Sequence, residues 1–153
     1  MTEDDDLAGQ LAARLDAEAH ARLGRSLAIF VVQAGDCGAC ALELAALRSV
    51  AMDLPRRGIT LAGNPAEADV LLVSGAMTRS LVQPVQLALS AMAEPRWVVA
   101  VGDCALDGGL FAGSGAVAGG AVAAVPVDLA IPGCPPRPEA VLAGLRTILA
   151  ANG

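Results

Sequence analysis

Four cysteines, Cys37, Cys40, Cys104 and Cys134, are the residues of this chain best equipped for chemistry. A thiolate can act as nucleophile, redox group or metal ligand. The first two form a Cys-x-x-Cys at the end of an apolar run, a pattern that packing alone does not explain. By itself the pair fits a thioredoxin-like redox couple or half of a zinc knuckle. The other two stand alone, Cys104 after Gly102-Asp103 and Cys134 between Gly133 and Pro135-Pro136. Four thiolates at one site are the ligand set of an iron–sulfur cluster or a structural zinc. Zinc modules usually offer two close pairs, whereas here one pair is followed by two distant single cysteines, so the spacing favours a cluster. Cys134-Pro135 points the same way, because a proline follows a ligand cysteine in ferredoxin-type runs. The plainer alternative for Cys104 and Cys134 is a buried free thiol packed as a small apolar residue. Both fall in Gly/Pro turns rather than inside strands, which argues against it.

For residues so far apart to meet, the chain must return repeatedly to one edge of a sheet. Residues 27–33 (LAIFVVQ), 69–74 (DVLLVS), 97–101 (WVVAV) and 126–131 (PVDLAI) are apolar runs with β-branched members, the pattern of strands buried on both faces of a parallel sheet. Residues 59–62 read as a short edge strand. Between them come helices over 41–51, over 79–92 with an interruption at Pro84, and over 139–150 with Pro138 at its first position. The glycine-rich residues 107–120 read as loop and short helix. The uncharged window 108–127 has membrane length, but its glycines and its preference for alanine over leucine argue against a spanning helix. Alternating strands and helices with right-handed crossovers give an α/β fold: a doubly wound, mostly parallel, flavodoxin-like sheet with helices on both faces. Each cysteine then lies just past the carboxyl end of a strand, the usual edge for chemistry in such a sheet.

At 153 residues and 55% apolar content the chain can bury a core of its own, one built mostly from Ala, Val and Leu. Residues 4–23 read as an acidic amphipathic helix with Leu7, Leu11 and Leu15 on one face and Gly24 as its stop. The division expected is an N-terminal helix over 1–26 and one α/β iron–sulfur domain over 27–153. His20, the only histidine, reads as an exposed helix residue. A net charge of −6 without a cationic patch excludes nucleic acid as a partner. The N-terminus lacks the charged and apolar regions of a secretory signal, so a cytoplasmic location is expected, where cysteines serve metals or redox chemistry rather than disulfides.

Four stretches carry a family resemblance: Cys37-x-x-Cys40-x-x-Glu43, ADVLLVSGAMTR at 68–79, EPRWVVAVGDCALDGG at 94–109 and VDLAIPGCPPRPEAVLAGL at 127–145. Together they resemble the family of the 20 kDa (B) subunit of respiratory complex I and the small subunits of [NiFe] hydrogenases. The similarity covers about residues 27–150. Complex I subunits carry adjacent cysteines at the first position; here they are separated by two residues, as in the membrane-bound group 4 hydrogenases of the formate hydrogenlyase type. The resemblance implies one [4Fe–4S] cluster held by Cys37, Cys40, Cys104 and Cys134. It implies a relay of single electrons between the active site of a separate hydrogenase-type large subunit and a ferredoxin-like iron–sulfur subunit. Integral membrane subunits would anchor the complex, leaving this chain peripheral on the cytoplasmic side and not catalytic alone. Periplasmic small subunits carry a twin-arginine signal and further clusters, which this sequence lacks. Two alternatives stay open: a complex-I-like subunit passing electrons to quinone, and a zinc-stabilised α/β interaction module without redox activity.

In the family motif Glu43 is placed to take part in proton movement or to bond a backbone donor near the large subunit. Asp36 and Asp103 precede ligand cysteines and should lower a cluster's potential, whereas backbone N–H groups and Arg137 should raise it. Gly35, Gly38, Gly102, Gly108, Gly109 and Gly133 either let the backbone approach the sulfurs or serve turns that need positive φ. Arg79 is read as pairing with a partner's carboxylate or as facing solvent. Met77 and Met92 are core filler, and the double proline points to a cis bond at Pro135 or Pro136.

Overall fold

A computed structural model describes residues 27–35, 38–46, 60–94 and 96–151. In chain order its elements are β1 (Ala28–Gln33), α1 (Ala39–Ala46), β2 (Thr60–Leu61), β3 (Val70–Ser74), β4 (Met77–Thr78), α2 (Val82–Ala91), β5 (Trp97–Val101), α3 (Asp103–Asp107), β6 (Val117–Gly119), β7 (Leu129–Ile131) and α4 (Pro138–Ala151). Short 3-10 turns occupy Pro65–Glu67, Arg79–Leu81, Gly109–Phe111 and Ala121–Ala123. Five strands form one sheet in the order β2-β1-β3-β5-β7, with every neighbouring pair parallel. The order reverses between β1 and β3, as in a flavodoxin-like doubly wound sheet.

Alternation along each strand divides the core into two layers. Ile29, Val70, Leu72, Trp97, Val99, Val101 and Ile131 pack with Leu44 of α1 and with Val141, Leu142 and Leu145 of α4 on one face. Leu71, Val73, Val98 and Ala100 face the other way, against Val85 of α2, Ala105 of α3 and Ala121. The central strands β3 and β5 are buried along their whole length, as their apolar runs require. β1 departs from that expectation: Val31 and Val32 are half-buried and Gln33 is exposed. Its outer neighbour β2 pairs only with Ala28 and Ile29, so among the described residues the carboxyl half of β1 has no strand on that side.

Two aspartates close the amino edge of the sheet. Asp69 Oδ2 accepts the Ala28 N–H at 2.9 Å while the Asp69 N–H donates to the Ala28 carbonyl at 2.8 Å. Asp128 repeats the device two pairs further on, between β5 and β7, its Oδ2 accepting the Val98 N–H at 2.7 Å and its N–H donating to the Val98 carbonyl at 2.9 Å. Each carboxylate satisfies a strand N–H that would otherwise end unpaired.

Several expectations are corrected. Pro84 does not interrupt its helix, because α2 begins at Val82 and the proline lies in the first turn, where a missing N–H costs nothing. Residues 107–120 are more than loop and short helix: β6 pairs antiparallel with β4 as a separate two-stranded sheet. α1 begins at Ala39, two residues before the expected start, and β7 is shorter than the apolar run at 126–131. The helix read over 4–23, with His20, and the continuation of α1 past residue 46 lie outside the described residues. Among the described residues no helix is long and apolar enough to cross a membrane.

Candidate metal centre

The segments that follow β1, β5 and β7 at the carboxyl edge of the sheet carry Cys40, Cys104 and Cys134. Asp36 and Cys37 lie outside the described residues. Cys40 is the second residue of α1 and is buried, with 8% of its surface exposed. Cys104 is the second residue of α3 and half-buried, and Cys134 is exposed in the loop after β7.

Two glycines make room for the sulfurs. A Cβ on Gly102 would lie 2.7 Å from Cys40 Sγ, and one on Gly109 would lie 2.8 Å from Cys104 Sγ. Both residues also hold positive φ, 88° and 53°, a region that L side chains rarely enter. Of the six glycines read as candidates, these two approach sulfur; Gly133 packs against Pro136, Gly108 against Ala112 and Gly35 against Thr78 and Ala76. Gly38 has nothing within 4 Å of a Cβ position, so its positive φ of 98° at the entry to α1 is its structural role.

Hydrogen bonds tie the Cys104 loop to the Cys134 loop. Gly102 N–H donates to the Ile131 carbonyl at 2.8 Å, Asp103 N–H to the Gly133 carbonyl at 2.8 Å, and Gly133 N–H to Asp103 Oδ1 at 2.9 Å. Asp103 is thus a loop tie as well as a charge. Arg137 Nε lies 3.7 Å from Glu139 Oε2 on a largely exposed side chain. The Cys134–Pro135 peptide is cis. Glu43 sits one turn beyond Cys40 on α1 and is half-buried, while the intervening Leu42 is 74% exposed. Arg79 is turned to its own chain: its Nε donates to the Gly115 carbonyl at 2.9 Å and its N–H to Ala116, anchoring the glycine-rich loop.

Cys104 and Cys134 share an open cavity of about 440 Å³ with Asp103, Asp107, Gly109 and Leu110. Asp107 and Leu110 were not expected from the sequence. The signal available was Asp107-Gly108-Gly109, a turn sequence, and Asp107 Oδ1 does accept the Gly109 N–H at 2.8 Å. Among the described residues no three His, Cys, Asp or Glu side chains are gathered tightly enough to hold a single metal ion. Chemically the donors are soft sulfurs, two of them approached closely by glycine backbone, which suits an iron–sulfur cluster, whose cysteines are spread over several irons.

The family described as NADH ubiquinone oxidoreductase, 20 kDa subunit, matches residues 37–148. The chain is 44% identical over 106 residues to a NADH-quinone oxidoreductase subunit of Geobacter metallireducens, a match covering 69% of this chain and 62% of that protein. It is 38% identical over 123 residues to a probable membrane-bound hydrogenase subunit of Pyrococcus furiosus, covering 80% of this chain and 74% of that one. Among solved structures it is similar to a chain of the membrane-bound sulfane sulfur reductase, an archaeal respiratory membrane complex. That similarity has a TM-score of 0.74 and 27% identity, covering 92% of this chain and 77% of the other. The chain thus spans less than two thirds of the quinone oxidoreductase subunit and about three quarters of the other two.

Proposed function

Since the chain belongs to the family of the 20 kDa subunit of NADH ubiquinone oxidoreductase, we propose that it is an electron-transfer subunit. It carries one [4Fe–4S] cluster on Cys37, Cys40, Cys104 and Cys134 and relays electrons between a hydrogenase-type large subunit and a ferredoxin-like iron–sulfur subunit. The observation that carries this reading is the pair of glycine cradles: Gly102 and Gly109 leave space at Cys40 Sγ and Cys104 Sγ that no side chain fills. Both glycines sit at positive φ, so any other residue there would be strained as well as crowded against a sulfur.

When bound, the cluster supplies a site that takes up and releases one electron. The chain's own residues do the rest. The hydrogen bonds from Gly102 N–H to the Ile131 carbonyl, from Asp103 N–H to the Gly133 carbonyl and from Gly133 N–H to the Asp103 carboxylate hold the loops of the two single cysteines together. Leu110 contributes apolar surface to the cavity wall. Glu43 holds a proton or bonds a backbone donor on the partner's side. Arg137 adds positive charge beside Cys134, and Asp103, whose Oδ1 is engaged by Gly133, adds negative charge beside Cys104. The chain is peripheral to the membrane, held there by integral membrane subunits and facing the cytoplasm.

A second reading, transfer to quinone in a complex-I-like assembly, is favoured by the 44% identity to the Geobacter protein. The Cys37-x-x-Cys40 spacing supports the hydrogenase-type partner. To test the choice, the complex is isolated anaerobically through a tag on this chain and its paramagnetic iron signals are followed. Reduction by hydrogen is expected. A signal that responds only to NADH or quinol would overturn the hydrogenase-type assignment in favour of the second reading.

A further inference from the structure

Asp107, the last residue of α3, brings a carboxylate to the cavity that Cys104 and Cys134 share. The turn after α3 holds it there. Its Oδ1 accepts the Gly109 N–H at 2.8 Å, and Gly109 is the residue whose Cβ position would lie 2.8 Å from Cys104 Sγ. The Gly108 N–H closes the same turn by donating to the Cys104 carbonyl at 2.8 Å, with Gly108 at a φ of 96°. Carboxylate, glycine and cysteine are thus linked through one tight turn, and for the carboxylate to leave would cost the Gly109 bond. No cationic residue is among the described residues that line this cavity, and Leu106 and Leu110 make part of its wall apolar.

A negative charge held beside a redox centre opposes the arrival of an electron, and it does so more strongly next to apolar surface than in bulk water. We infer that the tethered Asp107 carboxylate lowers the reduction potential of the centre that Cys104 and Cys134 help to hold, making it a stronger electron donor. This rests on the cluster reading above. Charge fixes the sign: reduction makes the centre more negative, so neutralising Asp107 stabilises the reduced state and raises the potential. Asparagine keeps an oxygen for the Gly109 N–H, so Asp107→Asn removes the charge while leaving the tether in place.

The experiment uses the full chain, purified anaerobically, as wild type, Asp107→Asn, Asp107→Ser and Glu94→Gln. Iron and acid-labile sulfide are measured first, then the midpoint potential by spectroscopically monitored redox titration. Asp107→Ser, whose hydroxyl oxygen can serve the same turn, stands in if the asparagine variant does not fold. Glu94→Gln is the control, because it removes the same charge from a different cavity, beside Trp97 and Asp128 at the amino edge of the sheet. The expected result is unchanged iron content in all four and a shift of the reduction equilibrium toward the reduced state of about threefold in the Asp107 variants. For a one-electron couple that is a rise of about 28 mV, with Glu94→Gln at the wild-type value. Asp107 is exposed, so in about 1 M salt, where the Debye length is about 3 Å, the difference should narrow. Equal potentials with the cluster intact, an equal rise in Glu94→Gln or a shift that salt leaves untouched would overturn the inference alone. Wild type without iron or sulfide would overturn the cluster reading and this inference with it.

Discussion

At the residue scale everything turns on the sulfurs and the positions that make room for them. Gly102→Ala places a methyl 2.7 Å from Cys40 Sγ at a φ of 88°, a strain of about 1–3 kcal/mol. It is expected to lower the denaturant midpoint and iron content together. Gly113→Ala, where a Cβ meets nothing within 4 Å, should change stability by no more than about 0.5 kcal/mol; equal effects at the two sites would contradict the cradle. Glu43→Gln is expected to leave the iron content intact and slow proton-coupled turnover of the assembled complex. Unchanged turnover would remove Glu43 from the mechanism. Much of this was legible in the sequence, because cysteines in Gly/Pro turns announce themselves. Gly109 is among the six glycines the sequence offers for approaching sulfur, but which of the six do so, and the cavity wall at Leu110, were not legible, since both depend on how a five-residue helix folds back between Gly102 and Gly108.

Among the elements, β3 and β5 form the stiff centre of the sheet and the aspartates at its amino edge tie neighbouring strands together. Asp69 is 2% exposed, so Asp69→Ala strands a buried Ala28 N–H and should cost about 1–3 kcal/mol. Asp128 is exposed, water can replace its carboxylate, and Asp128→Ala should cost less. Urea denaturation of the two variants decides; equal losses would contradict the account. The long β-branched runs made the central strands and the parallel order readable from sequence. The β4–β6 pair was hidden because it joins two- and three-residue segments separated by about forty positions, with no local pattern to reveal it. Pro84 misled for a physical reason: a proline reads as a break unless the helix start is known, and here α2 starts only two residues earlier.

For the whole molecule, the doubly wound sheet brings loops from distant parts of the chain to one edge, and that edge exposes large apolar side chains beside the cysteines. Leu110 is 92% exposed beside Cys104 and Cys134, and Leu42 is 74% exposed two residues after Cys40. Exposed apolar side chains grouped at one edge are a surface suited to a partner. Leu110→Ser is expected to leave the stability of the chain within about 0.5 kcal/mol of wild type and to weaken its co-purification with the large subunit. Full retention of the partner would place the interface elsewhere. All of this depends on what the cysteines hold, and metal and sulfide analysis of the full chain purified anaerobically measures it. The account predicts about four iron and about four acid-labile sulfide per chain, lost together in Cys104→Ser and Cys134→Ser. About one zinc per chain with no acid-labile sulfide would contradict it.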